Sequence, residues 1–279
     1  MEIDAYLDTL EITASDPAAL AAFYATTFVL TTSIDADGVV VCKGPGRHLR
    51  LRQGTDGKGG QLKRVSFRFR DRDRFEAQRT ALQGRDVRLI DDEPEYFTAV
   101  DPDGREVGFL PPDSSLDVKG DSKMPARLQH FGIRTPHATA LVDFYSKQLG
   151  FVVSDRVIDT ASEEGGDLSA CFLRTDFEHH TMAIFRSPET RFDHFSCEAP
   201  DWHVLRDWAD HMAREGFNLA WGIGRHGPGN DTFLMVKDMD GNMGEISCDL
   251  EVCQPDRPAG VWPHRPETLN QWGVAIMRS

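Results

Sequence analysis

The chain repeats itself, and no other feature constrains its fold as strongly. Leu10-Glu11-Ile12-Thr13, Asp16-Pro17, Leu20, Phe23 and Tyr24 recur as Gly132-Ile133-Arg134-Thr135, Pro136, Leu141, Phe144 and Tyr145. Each copy reads as a short apolar strand running into a helix that carries its apolar residues three or four apart. β-rich segments follow in both, at 28–34, 38–42 and 47–52 in the first copy and 151–157, 169–174 and 181–186 in the second.

A second kind of unit also occurs twice. Strand 64–70 leads into helix 71–83, strands 85–90 and 96–100, and a turn at Asp101-Pro102-Asp103-Gly104. Strand 192–197 leads into helix 201–215, strands 217–221 and 231–237, and a turn at Asp238-Met239-Asp240-Gly241. Asp-x-Asp-Gly is a hairpin signature in which the glycine takes the positive φ. Four βαβββ units, two per half, predict an α+β protein of two similar domains. Each domain is expected to be a curved mixed sheet around a cavity with its helices outside. The polar stretch 113–125 reads as the linker, which sets the domains at 1–120 and 121–279. The tail from Gln254 contains Trp262 and Trp272, is rich in proline and has no periodicity. It reads as a cover over the second domain or as an oligomer contact.

Composition removes several function classes. Lys and Arg number 31 against 45 Asp and Glu, a formal charge of −14 with no basic block, which argues against nucleic acid as a partner. No apolar run approaches a membrane span, and the N-terminal residues do not read as a signal peptide. The five cysteines form no Cys-x-x-Cys pair and read as small buried residues in a reducing cytoplasm.

The repeat also provides an internal control for the histidines. His130 falls on the first strand of the C-terminal half, His194 on the first strand of the fourth unit and Glu245 on the last strand. Aligning the halves places Thr9 opposite His130, Arg64 near His194 and Gly108 opposite Glu245, so the scaffold is built once without these side chains. Of ten histidines, only His48 precedes residue 130. Residues dispensable to the fold and concentrated in one copy point to chemistry rather than packing. Three ligands from three separated strands meet only if the sheet curves around a common centre. Two imidazoles and a carboxylate leave half an octahedron open, which suits a non-haem iron(II) that holds a substrate and dioxygen together.

With these residues in hand, the chain resembles the type I extradiol ring-cleaving dioxygenases of the vicinal oxygen chelate superfamily. The resemblance follows the unit order along nearly the whole chain and is sharpest from Gln129 to Asp249. It is carried by 130-HFGI-133, 142-VDFYSKQLGF-151, 178-EHHTMAIF-185, 194-HF-195, 224-GRHG-227 and 240-DGNMGEI-246. It implies a metal-free N-terminal domain and a catalytic C-terminal domain binding iron(II), or occasionally manganese(II), through His130, His194 and Glu245. It also implies a cytoplasmic homo-oligomer acting on a small aromatic diol and O2. His180 matches the family's acid–base histidine, which takes the diol proton and later returns one. His226 matches its substrate-hydrogen-bonding histidine, and Asn230 and Asp231 on the same loop are candidates to line the pocket. His179 is expected to face outward, because neighbours on a strand alternate.

Two positions depart from the family pattern. Met235 stands where a tyrosine hydroxyl usually contacts substrate, and a thioether cannot donate that bond. Trp221 stands where members that bind a substrate carboxylate place an arginine, which points to an apolar or bulky aromatic substrate. The expected reaction is cleavage of a catechol-type ring beside its vicinal hydroxyls. The alternatives are cleavage of a hydroquinone or dihydroxypyridine, a non-oxidative metal-dependent isomerase or lyase on the same fold, and a protein that binds an aromatic compound without reacting.

Overall fold

The computed structural model describes residues 3–113, 124–160 and 166–277. The first half runs β1 (Ala5–Ala14), α1 (Pro17–Thr27), β2 (Thr31–Ile34), β3 (Val40–Gly44), β4 (Arg47–Gln53), β5 (Leu62–Phe69), α2 (Arg72–Gln83), β6 (Leu89–Glu93), β7 (Tyr96–Val100) and β8 (Glu106–Leu110). The second half runs β9 (Arg127–Thr135), α3 (Ala138–Asp143), β10 (Val152–Asp159), β11 (Asp167–Arg174), β12 (Met182–Arg186), β13 (Arg191–Glu198), α4 (Trp202–Arg214), β14 (Trp221–Arg225), β15 (Thr232–Lys237) and β16 (Met243–Cys248). The tail adds β17 (Gly260–Pro263) and the short helix α5 (Pro266–Leu269). Most of the stretch read as a linker, including the 120/121 boundary, lies outside the described residues.

The two halves are built alike. One sheet has the order β2-β3-β4-β1-β5-β8-β7-β6 and the other β14-β15-β16-β13-β9-β12-β11-β10-β17. Read in opposite directions these are one topology, four βαβββ units as the repeat implied, with β17 added at an edge. The registers match too. Ser66 pairs with Thr9 on one side and Gly108 on the other, just as Ser196 pairs with His130 and Glu245. Arg64 pairs with Glu106 where His194 pairs with Met243.

Local chemistry explains the elements. Asp16 accepts hydrogen bonds from the amides of Ala18 and Ala19 and is followed by Pro17, so α1 starts there. Asp201 caps α4 the same way, and Leu205, Trp208 and Met212 make one buried face of it. Full burial of each such side chain contributes about 1.5–3 kcal/mol. In both Asp-x-Asp-Gly turns the first aspartate accepts from two backbone amides, and Gly104 and Gly241 hold φ of 85° and 82°. Two predicted strands are displaced, the first being strand 85–90, which forms only from Leu89 as β6. Strand 217–221 is not formed, and β14 begins at Trp221, where pairing with Met235 starts. The preceding residues close α4 instead, with the Phe217 amide bonded to the Met212 carbonyl.

A single buried apolar cluster runs through both halves. Tyr24 and Phe28 of α1 and its exit pack against Phe195, and Phe67 packs against Phe131 and Phe151. Tyr24 also donates to Asp238 at 2.6 Å, across the halves. A Cβ on Gly244 would lie 2.6 Å from the Phe28 ring, so glycine there lets the first half press directly against the strand that carries Glu245. All five cysteines are free and buried. Among the described residues no helix is long and apolar enough to cross a membrane.

Candidate metal centre

The second sheet brings His130, His194 and Glu245 together: one ligand atom from each lies within 4.8 Å of the others, and all three residues are buried. His130 Nε2 faces Glu245 Oε1 at 3.6 Å. The row opposite Ser196 in β9 and β16 supplies two of them, and β13 itself supplies the third. His194 reaches the centre because the β9–β13 register slips between Phe192 and His194, a bulge that re-aims the side chain. Gly132 stands opposite it, and a Cβ there would lie 2.3 Å from His194 Cε1.

Polar neighbours orient the donors. His194 Nδ1 lies 2.6 Å from Asp193 Oδ1, and Arg134 holds the other oxygen of that carboxylate at 2.5 Å. A proton on Nδ1 leaves the Nε2 lone pair for the centre, the usual carboxylate–histidine arrangement behind a metal. Ser196 donates to Glu245 Oε1 at 2.9 Å, and Glu245 Oε2 has no hydrogen-bond partner among the described residues. Burial pushes the Glu245 carboxyl up, but His226, His130 and His194 outweigh it and hold the group at about 2. Burial drives His130 down to about 3. A carboxylate and a neutral imidazole are the forms a divalent metal takes as ligands. The donor set, the bare carboxylate oxygen and the glycine cradle therefore fit such an ion, and oxygen and nitrogen donors of this kind accept iron or manganese alike.

Beside this cluster lies a cavity of about 20 Å³, lined by His130, His194, His180, His226, Met235, Phe172, Phe185, Pro228, Thr268 and Leu269. The His180 ring sits 4.3 Å from that of His130, and burial followed by the neighbouring imidazoles holds it well below the ordinary histidine range. His226 is clamped: Nδ1 donates to the Leu269 carbonyl at 2.5 Å, and the ring stacks on Phe233 at 3.8 Å. Its Nε2 lies 3.9 Å from Glu245 Oε2, an electrostatic rather than a hydrogen-bonding distance. Burial lowers His226, yet Asp231 and Glu245 outweigh it and raise the ring.

The remaining loop residues are placed differently from one another. Asp231 is fully buried, neither of its oxygens has a hydrogen-bond partner among the described residues, and burial raises it to about 7. It lies close enough to His226 and Glu245 to form a second cluster of potential donors, but it does not line the cavity. Asn230 is exposed and accepts from Arg225, so it does not reach the cavity. Trp221 packs behind the site against His226 and Phe233 and donates to the Val274 carbonyl. Met235 does present its thioether to the cavity, and it is 1% exposed.

His179 is a correction. It is 0% exposed, not outward-facing. The segment before Met182 is not regular strand, so alternation does not govern it, and the His179 amide is tied to the Glu251 carbonyl of the tail. The pairing of His179 with its neighbour was visible in the sequence only as an adjacent histidine pair. Asp193 beside His194 and the serine in 194-HFS-196 gave no signal of their own. The tail does cover the second half: Thr268 and Leu269 close the cavity, and the Gln271 amide bonds to the Arg225 carbonyl. In the first half the equivalent space, about 760 Å³, holds paired charges such as Arg50 and Arg52 on Glu11 and Arg64 on Glu106.

Residues 127–246 match the Glyoxalase/Bleomycin resistance protein/Dioxygenase superfamily. The matched stretch takes in the two βαβββ units of the C-terminal half. All three candidate ligands, His180 and His226 lie within the matched stretch of the superfamily. Metapyrocatechase 2 of Cupriavidus necator is 30% identical over 158 residues, which are 55% of this chain and 46% of that protein, so the match spans about half of each. The Mn(II)-bound glyoxalase of Novosphingobium aromaticivorans superposes with a TM-score of 0.81 at 22% identity, covering 100% of this chain and 93% of that one. Homoprotocatechuate 2,3-dioxygenase of Arthrobacter globiformis superposes with a TM-score of 0.77 at 22% identity, covering 99% and 90%. At this identity the two structures establish a shared fold across both halves.

Proposed function

We propose that this chain is an iron(II)-dependent extradiol dioxygenase that opens the aromatic ring of a catechol-type diol beside its vicinal hydroxyls. The observation that carries the reading is a converging His–His–Glu cluster whose two histidines line one cavity together with two further histidines, His180 and His226. A ligand set alone serves many reactions, and a binding protein needs no acid–base group. When bound, the metal supplies a centre at which the diol oxygens and dioxygen meet. His180 accepts a proton from the diol as it binds and returns one to the departing oxygen later. His226, fixed by Leu269 and Phe233, offers its Nε2 edge to substrate. Phe172 and Phe185 wall the ring and exclude water. The kinship with metapyrocatechase 2 supports the same reaction class.

Met235 favours one second reading within the class. With no hydroxyl at that position, the site holds its substrate without a donor there, which suits a hydroquinone or dihydroxypyridine as well as a catechol. The test is oxygen uptake by the iron-loaded protein with a panel of catechols, hydroquinones and dihydroxypyridines. Uptake with formation of a ring-opened chromophore is expected for one of these classes. Absence of uptake with all of them, from protein shown to hold iron, rejects the dioxygenase and leaves the non-oxidative isomerase or lyase and the protein that binds without reacting.

A further inference from the structure

We infer that Asp155 and His179 fix the tautomer of His180, so that His180 meets the cavity with its Nε2 bare. Asp155 lies on β10, outside the residues proposed to hold metal or substrate, and it is buried. Its Oδ1 accepts from the Gly260 amide at 3.1 Å and from Arg257 Nη1 at 3.1 Å. Its Oδ2 accepts from Trp262 Nε1 at 2.7 Å. All three donors come from the tail, and a Cβ on Gly260 would lie 2.4 Å from Oδ1, so the tail approaches this closely only through glycine. Burial pushes the carboxyl up, and His179, Trp262 and Arg257 outweigh it and hold Asp155 at about 2.

His179 Nε2 lies 3.1 Å from Asp155 Oδ2, an ion-pair distance outside hydrogen-bond geometry, and it has no hydrogen-bond partner among the described residues. A carboxylate has no proton to give, so a neutral His179 carries its proton on Nε2 and leaves Nδ1 as a lone pair. That Nδ1 faces His180 Nδ1 at 3.0 Å. Two ring nitrogens at this distance share one proton, and with His179 Nδ1 bare the proton belongs to His180. Its other nitrogen, Nε2, is then the unprotonated atom on the edge turned to the cavity. Both rings are buried, and a Cβ on Gly229 would lie 3.1 Å from His179 Nδ1 and 3.2 Å from His180 Cε1, which keeps the pair together.

The proposed reaction needs His180 as a proton acceptor at the start, and the wrong tautomer would present an N–H instead. Asp155 and His179 are therefore positioning residues, acting through His180 as orienting carboxylates act behind other imidazoles. The inference uses the proposed function only to say why the tautomer matters; the tautomer itself is read without turnover.

The experiment is a long-range 1H–15N spectrum of the full chain carrying 15N-histidine, with diamagnetic zinc bound and again without metal. The two rings are assigned by the signals lost in His179→Gln and His180→Gln. The expected wild-type result is His180 protonated on Nδ1 with Nε2 bare, and His179 the reverse. In Asp155→Asn both rings should show mixed tautomers while the far-UV circular dichroism is unchanged. The iron-loaded variant should lose about tenfold or more in kcat with little change in KM. A wild-type His180 that carries its proton on Nε2, which is what a doubly protonated His179 would impose, overturns the inference. So does an Asp155→Asn spectrum with the wild-type tautomers. If that variant does not fold, the wild-type spectrum decides alone.

Discussion

A single bond vector governs the centre at the residue scale. His194 presents Nε2 only because Asp193 fixes Nδ1 and because Gly132 leaves the space its ring occupies. Asp193→Asn should therefore weaken metal binding about 10–100-fold while the protein stays folded, as read by competition with a chromophoric chelator. Gly132→Ala should do at least as much, because its Cβ would collide with the ring 2.3 Å away rather than alter its hydrogen bond. Equal metal affinity in both variants would remove His194 from the ligand set. The first half offers a separate residue-scale test. Burial drives His48 down to about 4, with its Nδ1 2.8 Å from Thr9 Oγ1 and its Nε2 without a hydrogen-bond partner among the described residues. Below the ordinary histidine value the unfolded chain takes up a proton that the folded chain refuses until about pH 4. Stability is thus full above about pH 6.5 and falls as the pH drops through that window, by at most about 3 kcal/mol for this group. His48→Gln should flatten the curve between those limits, measured by urea midpoints with a chelator present so that metal does not contribute.

The lesson at the scale of elements lies in which contacts are local. Helices α1, α2 and α4 start at aspartates that cap their own first turn, and the two Asp-x-Asp-Gly turns close on their own amides. Short-range chemistry of that kind is legible in a sequence, and the repeat made it legible twice. The convergence of His130, His194 and Glu245 was legible for a different reason: a copy of the scaffold without those side chains in the same chain marked what the fold could do without. The tail was not legible in detail. Its bonds run from Leu269 to His226, from Trp262 to Asp155 and from Val274 to Trp221, all long in sequence and without period. For the same reason β14 was displaced and His179 misread, since each is set by a partner far along the chain. The tail also carries a prediction of its own. A cavity of about 20 Å³ holds a water molecule and no aromatic ring, so α5 and its flanks must yield for a diol to enter. Hydrogen exchange should show the amides of Gly227 and Gln271, which bond across this seam, opening far more readily than those of β9 and β13. Catechol added to metal-loaded protein should then slow exchange there. Protection of the seam equal to that of the central strands would mean that substrate enters by another route.

The whole molecule joins a half without a His–His–Glu cluster to a half that buries one, and a cation would relieve the cost of that burial. Glu245 and Asp231 are buried beside the half-buried His226, with three carboxylate oxygens lacking hydrogen-bond partners among the described residues. Such a cluster costs stability in the metal-free protein. Phe28 of the first half, pressed on Gly244, and Tyr24, bonded to Asp238, hold β16 in place against that cost. A metal that binds only the folded form contributes RT ln(1 + [L]/Kd), about 2.7 kcal/mol at a hundredfold excess over Kd, which raises Tm by roughly 5–10 °C in a chain of this size. Chelation should therefore lower Tm by that amount in the wild type. In Glu245→Gln the shift should vanish, because a ligand is lost, while the chelated variant should be as stable as the chelated wild type or more so, because a buried charge is gone. Differential scanning calorimetry of the four samples decides it. A chelated Glu245→Gln protein that melts well below the chelated wild type would mean that the carboxylate supports the fold through Ser196 rather than awaiting an ion.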